Sequence, residues 1–200
     1  MDGTGNDFVV FDARDVPLSL SAEDVRQLAA LDNAVTKGCD QVIVVEPPQD
    51  SAADAFMRIY NADGGEVQAC GNASRAVGWW LAHALRQKTV QLQTGAGLLE
   101  VSYDGEEVTV DMGLPGLHWK EIPLAEEVDT LHMDVHDGAL FNPVAVSMGN
   151  PHMVFFVGNS EEVDFTAGDL GSRLEHHPLF PEGANVGLVQ VVSSAVLRVR

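Results

Sequence analysis

The stretch NADGGEVQACGNASR, Asn61 to Arg75, carries Cys70, one of only two cysteines in a chain of 200 residues. Small and polar residues flank the thiol. Gly71-Asn72 follows, and then Ala76, Val77, Trp80, Leu81, Ala84 and Leu85 recur at helical spacing over about four turns. A thiol placed there sits at a helix N-terminus, beside backbone N–H groups with no partner in the helix and at the positive end of its dipole. Both favour the thiolate. The same N–H groups can hold a carboxylate. Gly71 allows close backbone approach, and Asn72 adds a donor and an acceptor. Two chemistries suit a thiolate beside a carboxylate cradle: attack on a carbonyl, or removal of a proton from a carbon next to a carboxylate. A third use is packing alone, since free cysteine is often buried and inert. Cys39, in TKGCDQ ahead of a strand, reads as a packing residue.

An attacking thiol needs a histidine base, and His152 in GNPHMV is the one histidine in a motif-like setting. His132 and His136 are four apart but lack an associated acidic ligand pattern, so no metal site is expected. There is no P-loop. GTGNDF is too short and wrongly placed for a dinucleotide fingerprint, and none of the three lysines has a Schiff-base setting. Side-chain amides do recur at the lips of turns: Asn6, Gln41, Asn61, Asn72, Asn150 and Asn185 all stand beside Gly, Asp or Pro. Each alone is an ordinary turn residue. As a set they can furnish a site of neutral hydrogen-bonding groups that grips ammonium and carboxylate together.

The elements that must position these residues read as follows. Phe8 to Phe11 is a buried strand. SAEDVRQLAAL is a helix opened by a capping box from Ser21 and Asp24. DQVIVVEPP is a strand stopped by Pro47-Pro48, and AFMRIYNADGG is a strand ending in a turn. After the Cys70 helix come strands with a hairpin signal at Asp104-Gly105. Periodicity fades between Gly113 and Gly138. Strands return in NPVAVSMGNPHMVFFVG, NVGLVQVV and AVLRVR, with TAGDLGSRLEHH a short helix candidate. The expected class is α+β with two domains, 1–115 and 116–200.

The two halves echo each other. GNDFVV begins at Gly5 and GNPHMV at Gly149, 144 positions on; Gln41 and Asn185 precede strands at the same offset of 144. Arg58 in MRIY and Arg200 in VRVR follow at an offset of 142. Three matches in one order favour a duplicated domain, the spacing being too long for a solenoid. The same spacing puts a counterpart of Cys70 beyond Arg200.

Composition is that of a soluble globular protein, with 46% hydrophobic and 20% charged residues. No apolar run reaches membrane-spanning length, and the start lacks the marks of a secretory leader. Two cysteines make no disulfide framework, so a reducing cytoplasm fits. The net charge of −19 argues against nucleic acid and anionic membranes as partners. An anionic substrate must be held by local donors.

The blocks GTGNDFVVFDAR, GCDQVIVVE, YNADGGEVQACGNASR, VSMGNPHMVFFV and FPEGANVGLVQV, in this order and over essentially the whole chain, resemble diaminopimelate epimerase. The resemblance implies an isomerase without cofactor or metal, acting on a small amino-acid substrate in lysine and peptidoglycan precursor synthesis, with a homodimer as its candidate assembly. It implies two similar domains, each a mixed or antiparallel sheet around a central helix, with the active site in the cleft between them. It makes Cys70 the thiolate of a two-cysteine pair, Gly71 and Asn72 the carboxylate cradle, and Asn6, Gln41, Asn61, Asn150 and Asn185 substrate-binding residues. His152 matches a histidine that tunes the cysteine pair.

The chain departs from the family pattern in lacking its closing block, a Glu-Arg-Gly motif followed by ACGTG, and in starting a few strand residues short. On this reading the second domain is incomplete and the second acid/base is missing. A non-catalytic amino-acid-binding protein of the same fold, a proline-racemase-like enzyme and a thiol hydrolase remain alternatives. The 200-residue chain alone is expected to be poorly stable and unable to invert its substrate efficiently, since inversion needs a group on each face. An unfolding scan and a racemisation assay check this, and full turnover would overturn it.

Overall fold

The computed structural model of the chain describes residues 1–3, 5–159 and 170–200, in two units, Met1–Gly113 and Leu114–Arg200. In the first, β1 (Asp2–Gly3) and β2 (Asn6–Asp12) precede α1 (Ala22–Ala29). The capping box forms as spaced: Ser21 Oγ accepts from the Asp24 N–H at 3.2 Å, and Asp24 Oδ2 accepts from the Ser21 N–H at 2.8 Å. There follow β3 (Gln41–Glu46), β4 (Ala55–Asn61), β5 (Glu66–Val67), α2 (Gly71–Leu85), β6 (Thr89–Thr94), β7 (Gly97–Tyr103) and β8 (Val108–Asp111). They build one mixed sheet in the order β1-β2-β3-β4-β6-β7-β8, with β5 on β4.

α2 is the centre of this unit's core, packing Ala73, Val77 and Leu81 with Phe8, Ile43, Met57 and Ile59 of the sheet. Its buried side differs from the stripe that hydrophobic spacing draws. Ser74, Gly78 and Ala82 are buried, whereas Ala84 and Leu85 are exposed. The reason is close approach. A Cβ on Gly78 would lie 2.8 Å from Val101 Cβ, so the contact line is built of small residues, which a count of large apolar ones passes over. Of the Phe8–Phe11 run only Phe8 is buried. The neighbouring β1 is two residues long and covers little of β2. The Asp104-Gly105 hairpin forms around a four-residue loop, with Asp104 Oδ1 accepting from the N–H groups of Glu106 and Glu107, each at 2.9 Å.

The second unit contains β9 (His136–Asp137), β10 (Leu140–Phe141), β11 (Val144–Ser147), β12 (Pro151–Phe156), α3 (Leu170–Glu175), β13 (Asn185–Ser193) and β14 (Val196–Val199). Residues 166–169 of the helix candidate TAGDLGSRLEHH lie outside the described residues; LGSRLE is α3. The sheet runs β11-β12-β13-β14. Met153, Phe155 and Leu188 pack with Leu174 and with Ile122, Met133 and Val135 from the weakly periodic stretch.

The echo is geometric. β2 pairs in parallel with β3 from Phe8↔Gln41 to Asp12↔Val45, and β12 with β13 from His152↔Asn185 to Phe156↔Val189. Every pair is displaced by the offset of 144. In each unit a helix joins the two parallel strands, and the strands on either side of them run antiparallel. Arg58 stands opposite Val44, and Arg200 exchanges both backbone hydrogen bonds with Leu188, at 2.8 and 3.0 Å. The turns before β2 and β12 share a left-handed glycine, Gly5 at φ 90° and Gly149 at φ 91°.

Gly78→Ala tests the close approach of α2. The added methyl is expected to cost about 1–3 kcal/mol through overpacking. That lowers the melting temperature by several degrees (about 4–8 °C per kcal/mol in a domain of this size). Val101→Ala in the Gly78→Ala background should recover part of the loss, and a thermal scan of the four proteins reads this coupling.

Candidate functional site

β2 and β3 begin at the same end of the first unit's sheet because they are parallel, and β4, antiparallel to β3, ends there. That end gathers Asn6, Gln41 and Asn61, which open or close these strands. Gln41 and Asn61 are cross-strand partners, and Gln41 Nε2 donates to Asn61 Oδ1 at 2.9 Å. Asn72, in the first turn of α2, donates from Nδ2 to Asn6 Oδ1 at 2.9 Å. Among the described residues, Gln41 Oε1 is buried with no hydrogen-bond partner.

Cys70 is the N-cap of α2, with extended backbone at φ −151°, ψ 109°. Its side chain makes no capping bond, and the first turn holds no acidic residue. The Cys70 carbonyl accepts from both the N–H and the Oγ of buried Ser74, each at 2.9 Å, which fixes the backbone; the half-buried Cys70 packs against the core of the unit and is in no disulfide. A Cβ on Gly71 would meet only Met112 Sδ, at 3.8 Å, an ordinary contact. The unit's own packing therefore does not demand glycine there. The missing side chain leaves space at the start of the helix. An anion there would meet the free N–H groups of the first turn and the favourable end of the dipole.

The second unit gathers the other three predicted residues. His152 lies in β12 opposite Asn185 of β13, and its Nε2 donates to Asn150 Oδ1 at 3.0 Å. Asn185 Nδ2 donates to the Pro151 carbonyl at 3.2 Å. Burial pushes the His152 imidazole below its ordinary value, favouring the neutral ring. The nine predicted residues thus fall into a group of six in the first unit and three in the second.

Cys39 is free, and burial pushes its thiol up, consistent with packing. Two residues of the site escape sequence reasoning. Ser74 reads as a polar helix residue, yet it is buried and holds Cys70. Asp40 precedes Gln41 in a turn, and its Oδ2 accepts from the Asp7 N–H at 2.8 Å and from Asn6 Nδ2 at 3.3 Å. A cavity of about 340 Å³ lies elsewhere on α2, lined by Asp2, Gly3, Arg75, Trp79 and Val108. It contains none of the side-chain amides, and the chemistry points to the Cys70 end instead.

The sequence profile of diaminopimelate epimerase matches residues 1–117 and 144–200. The chain belongs to the diaminopimelate epimerase family. A diaminopimelate epimerase of Phenylobacterium zucineum is 47% identical over 205 residues, matching all of this chain and 72% of the relative. One of Caulobacter sp. (strain K31) is 45% identical over 203 residues, 96% of this chain and 70% of the relative. The fold is shared more widely. A hydroxyproline epimerase of Agrobacterium vitis, solved with trans-4-hydroxy-L-proline bound, superposes with a TM-score of 0.61 at 16% identity, over 99% of this chain and 67% of its own. A predicted epimerase of Pseudomonas aeruginosa gives 0.55 at 20% identity, over 93% of this chain and 64% of its own. Both groups of predicted site residues lie in the stretches that match the epimerase family; the unmatched stretch is part of the second unit's weakly periodic region.

His152 generates a pH prediction. Its folded-state value lies below the unfolded value of about 6.5, so the unfolded chain takes up the proton first as pH falls. The stability due to neutral His152 is full above that unfolded value and is lost as pH drops through the lower folded value. NMR titration should place the His152 ring midpoint below that of free imidazole, and His152→Gln should flatten the acid side of the stability curve.

Proposed function

We propose that this chain is an epimerase that interconverts L,L- and meso-diaminopimelate, with Cys70 as its proton-abstracting group. The relatives' name supports the substrate, and the family supports an isomerase. The single observation that carries the reading is Cys70 as an N-cap whose thiol makes no capping bond, at the sheet end where Asn6, Gln41, Asn61 and Asn72 meet.

The substrate carboxylate takes the place of a cap at the start of α2, beside Gly71 and Asn72, accepting from the first-turn N–H groups. That puts the α-carbon next to Cys70. The thiolate takes the α-proton: the Cα–H bond breaks, an S–H bond forms, and the electron pair passes into the carboxylate. The added charge falls on oxygens already facing the helix N-terminus, where fixed dipoles stabilise it without reorganisation. Return of the proton by Cys70 restores the starting configuration. A proton from an acid on the opposite face inverts it.

In this reading Asn150, His152 and Asn185 are substrate-binding residues of the second unit, with His152 acting as a neutral hydrogen-bonding group. No step calls on a cofactor. The reading assigns the protein to the cytoplasm, where the unpaired thiols Cys39 and Cys70 stay reduced, with a homodimer as its assembly. Among the described residues no helix is long and apolar enough to cross a membrane.

The test is exchange of the diaminopimelate α-proton in deuterated water, followed by NMR. The chain should exchange it, and Cys70→Ser should reduce the rate by at least about a hundredfold, the scale of a lost proton-transfer group, with the melting temperature little changed. Unchanged exchange in Cys70→Ser would remove the thiol from the reaction.

A further inference from the structure

We propose that Asp40 is a positioning residue whose carboxylate sets the direction of the Asn6–Asn72 hydrogen bond, so that Asn72 offers its carbonyl oxygen to the substrate's ammonium group. The inference rests on the functional reading above and deepens it.

The argument is one of donors and acceptors. An ionised carboxylate can only accept. Asp40 Oδ2 accepts from the Asp7 N–H at 2.8 Å and from Asn6 Nδ2 at 3.3 Å. With its NH₂ group turned to Asp40, Asn6 has only Oδ1 to show Asn72. Asn72 can meet that oxygen only with Nδ2, at 2.9 Å. Its own Oδ1 is therefore turned away from Asn6. Remove Asp40 and nothing in this chain of bonds fixes its sense. Both amides can turn over together, keep their mutual bond, and leave Asn72 showing N–H groups where it showed a carbonyl.

A second acceptor lies at the same end of the sheet. Asn6, two residues before Phe8, shares Phe8's face of β2. Gln41 and Asn61 lie in Phe8's cross-strand row. Gln41 Nε2 is committed to Asn61, and Gln41 Oε1 is left buried without a partner among the described residues. A buried acceptor of this kind calls for a donor. The end of the unit thus divides its work. The first turn of α2 supplies donors for a carboxylate, and Asn72 Oδ1 with Gln41 Oε1 supplies acceptors for an ammonium. In a chain of net charge −19 the ammonium gains from the surroundings as well. A like-shaped ligand without an amino group gains from neither acceptor.

The experiment compares the full wild-type chain with Asp40→Ala, Asp40→Asn and the double variant Asp40→Ala/Asn6→Asp. Binding of diaminopimelate and of pimelate, the same dicarboxylate without amino groups, is measured by calorimetry. Side-chain amide signals are followed by ¹⁵N–¹H NMR without ligand. Asp40→Ala should weaken diaminopimelate binding about tenfold, the scale of one charge-assisted hydrogen bond, and leave pimelate binding unchanged. Asp40→Asn keeps an acceptor oxygen and should behave as wild type. The hydrogen-bonded Asn72 amide signal should move in Asp40→Ala. It should return in the double variant, where a carboxylate at position 6 accepts from Asn72 directly. Equal weakening of both ligands by Asp40→Ala, or an unmoved Asn72 signal, would overturn the proposal. If the wild-type chain binds neither ligand, the epimerase reading fails, and the NMR comparison still decides whether Asp40 directs the amides.

Discussion

Gly78 faces Val101 at a distance that no larger residue could keep, and this contact holds α2 deep in the first unit. A helix seated that closely has little freedom to slide or rotate, because both sides of the contact are at interior packing density. Its N-terminus is then fixed against the sheet end where β2 and β3 begin and β4 finishes. Cys70, Gly71 and Asn72 owe their position to a glycine two turns further along. Ser74 adds the local restraint by holding the Cys70 carbonyl with two hydrogen bonds. The Cys70 end of the helix thus rests on a rigid element.

The electrostatics of the chain divide in the same way. Arg14, Arg26, Arg58 and Arg173 sit in local ion pairs. Arg58, for example, bridges Glu46 at 3.1 Å and Glu66 at 2.7 Å, on the sheet face away from α2. The Cys70 end is built of amides, a thiol and a helix terminus, with Asp40 at its edge. Such a site attracts an anionic group through the aligned dipoles of one helix turn, against an acidic overall field. On the proposed reading, carboxylate and ammonium meet separate sets of atoms, which suits a zwitterionic amino-acid centre better than a simple acid.

Much of this was legible in the residues. Ser21 and Asp24 announce their helix because a capping box is a local device. The offset between Gly5 and Gly149 reads through to the register because parallel strands joined by a helix leave similar spacing in each copy. What stayed hidden depends on tertiary contact. Hydrophobic spacing placed Ala84 and Leu85 on the inner face and missed Ser74 and Gly78, since a tight interface selects small residues whatever their polarity. A glycine at position 71 suggests close backbone approach, yet a Cβ there would meet only Met112 Sδ at 3.8 Å. The bonds that link Asp40, Asn6 and Asn72 join β2, α2 and the turn before β3 and have no periodic trace. Only the geometry of the site could disclose them.

Phe8 and His152 occupy the same seat in the two sheets, opposite Gln41 in one and Asn185 in the other. In the first unit the seat is filled by a buried ring that packs against α2; in the second it holds an imidazole bonded to Asn150. An assembly made from two identical chains would have to use one residue for both duties, so any gain in the one would be a loss in the other. A fused duplicate escapes that conflict. Its two copies can keep a common backbone, left-handed glycine included, while one fills the position with a packing ring and the other with a hydrogen-bonding one. The pair at positions 8 and 152 records that division of labour within a single reading frame.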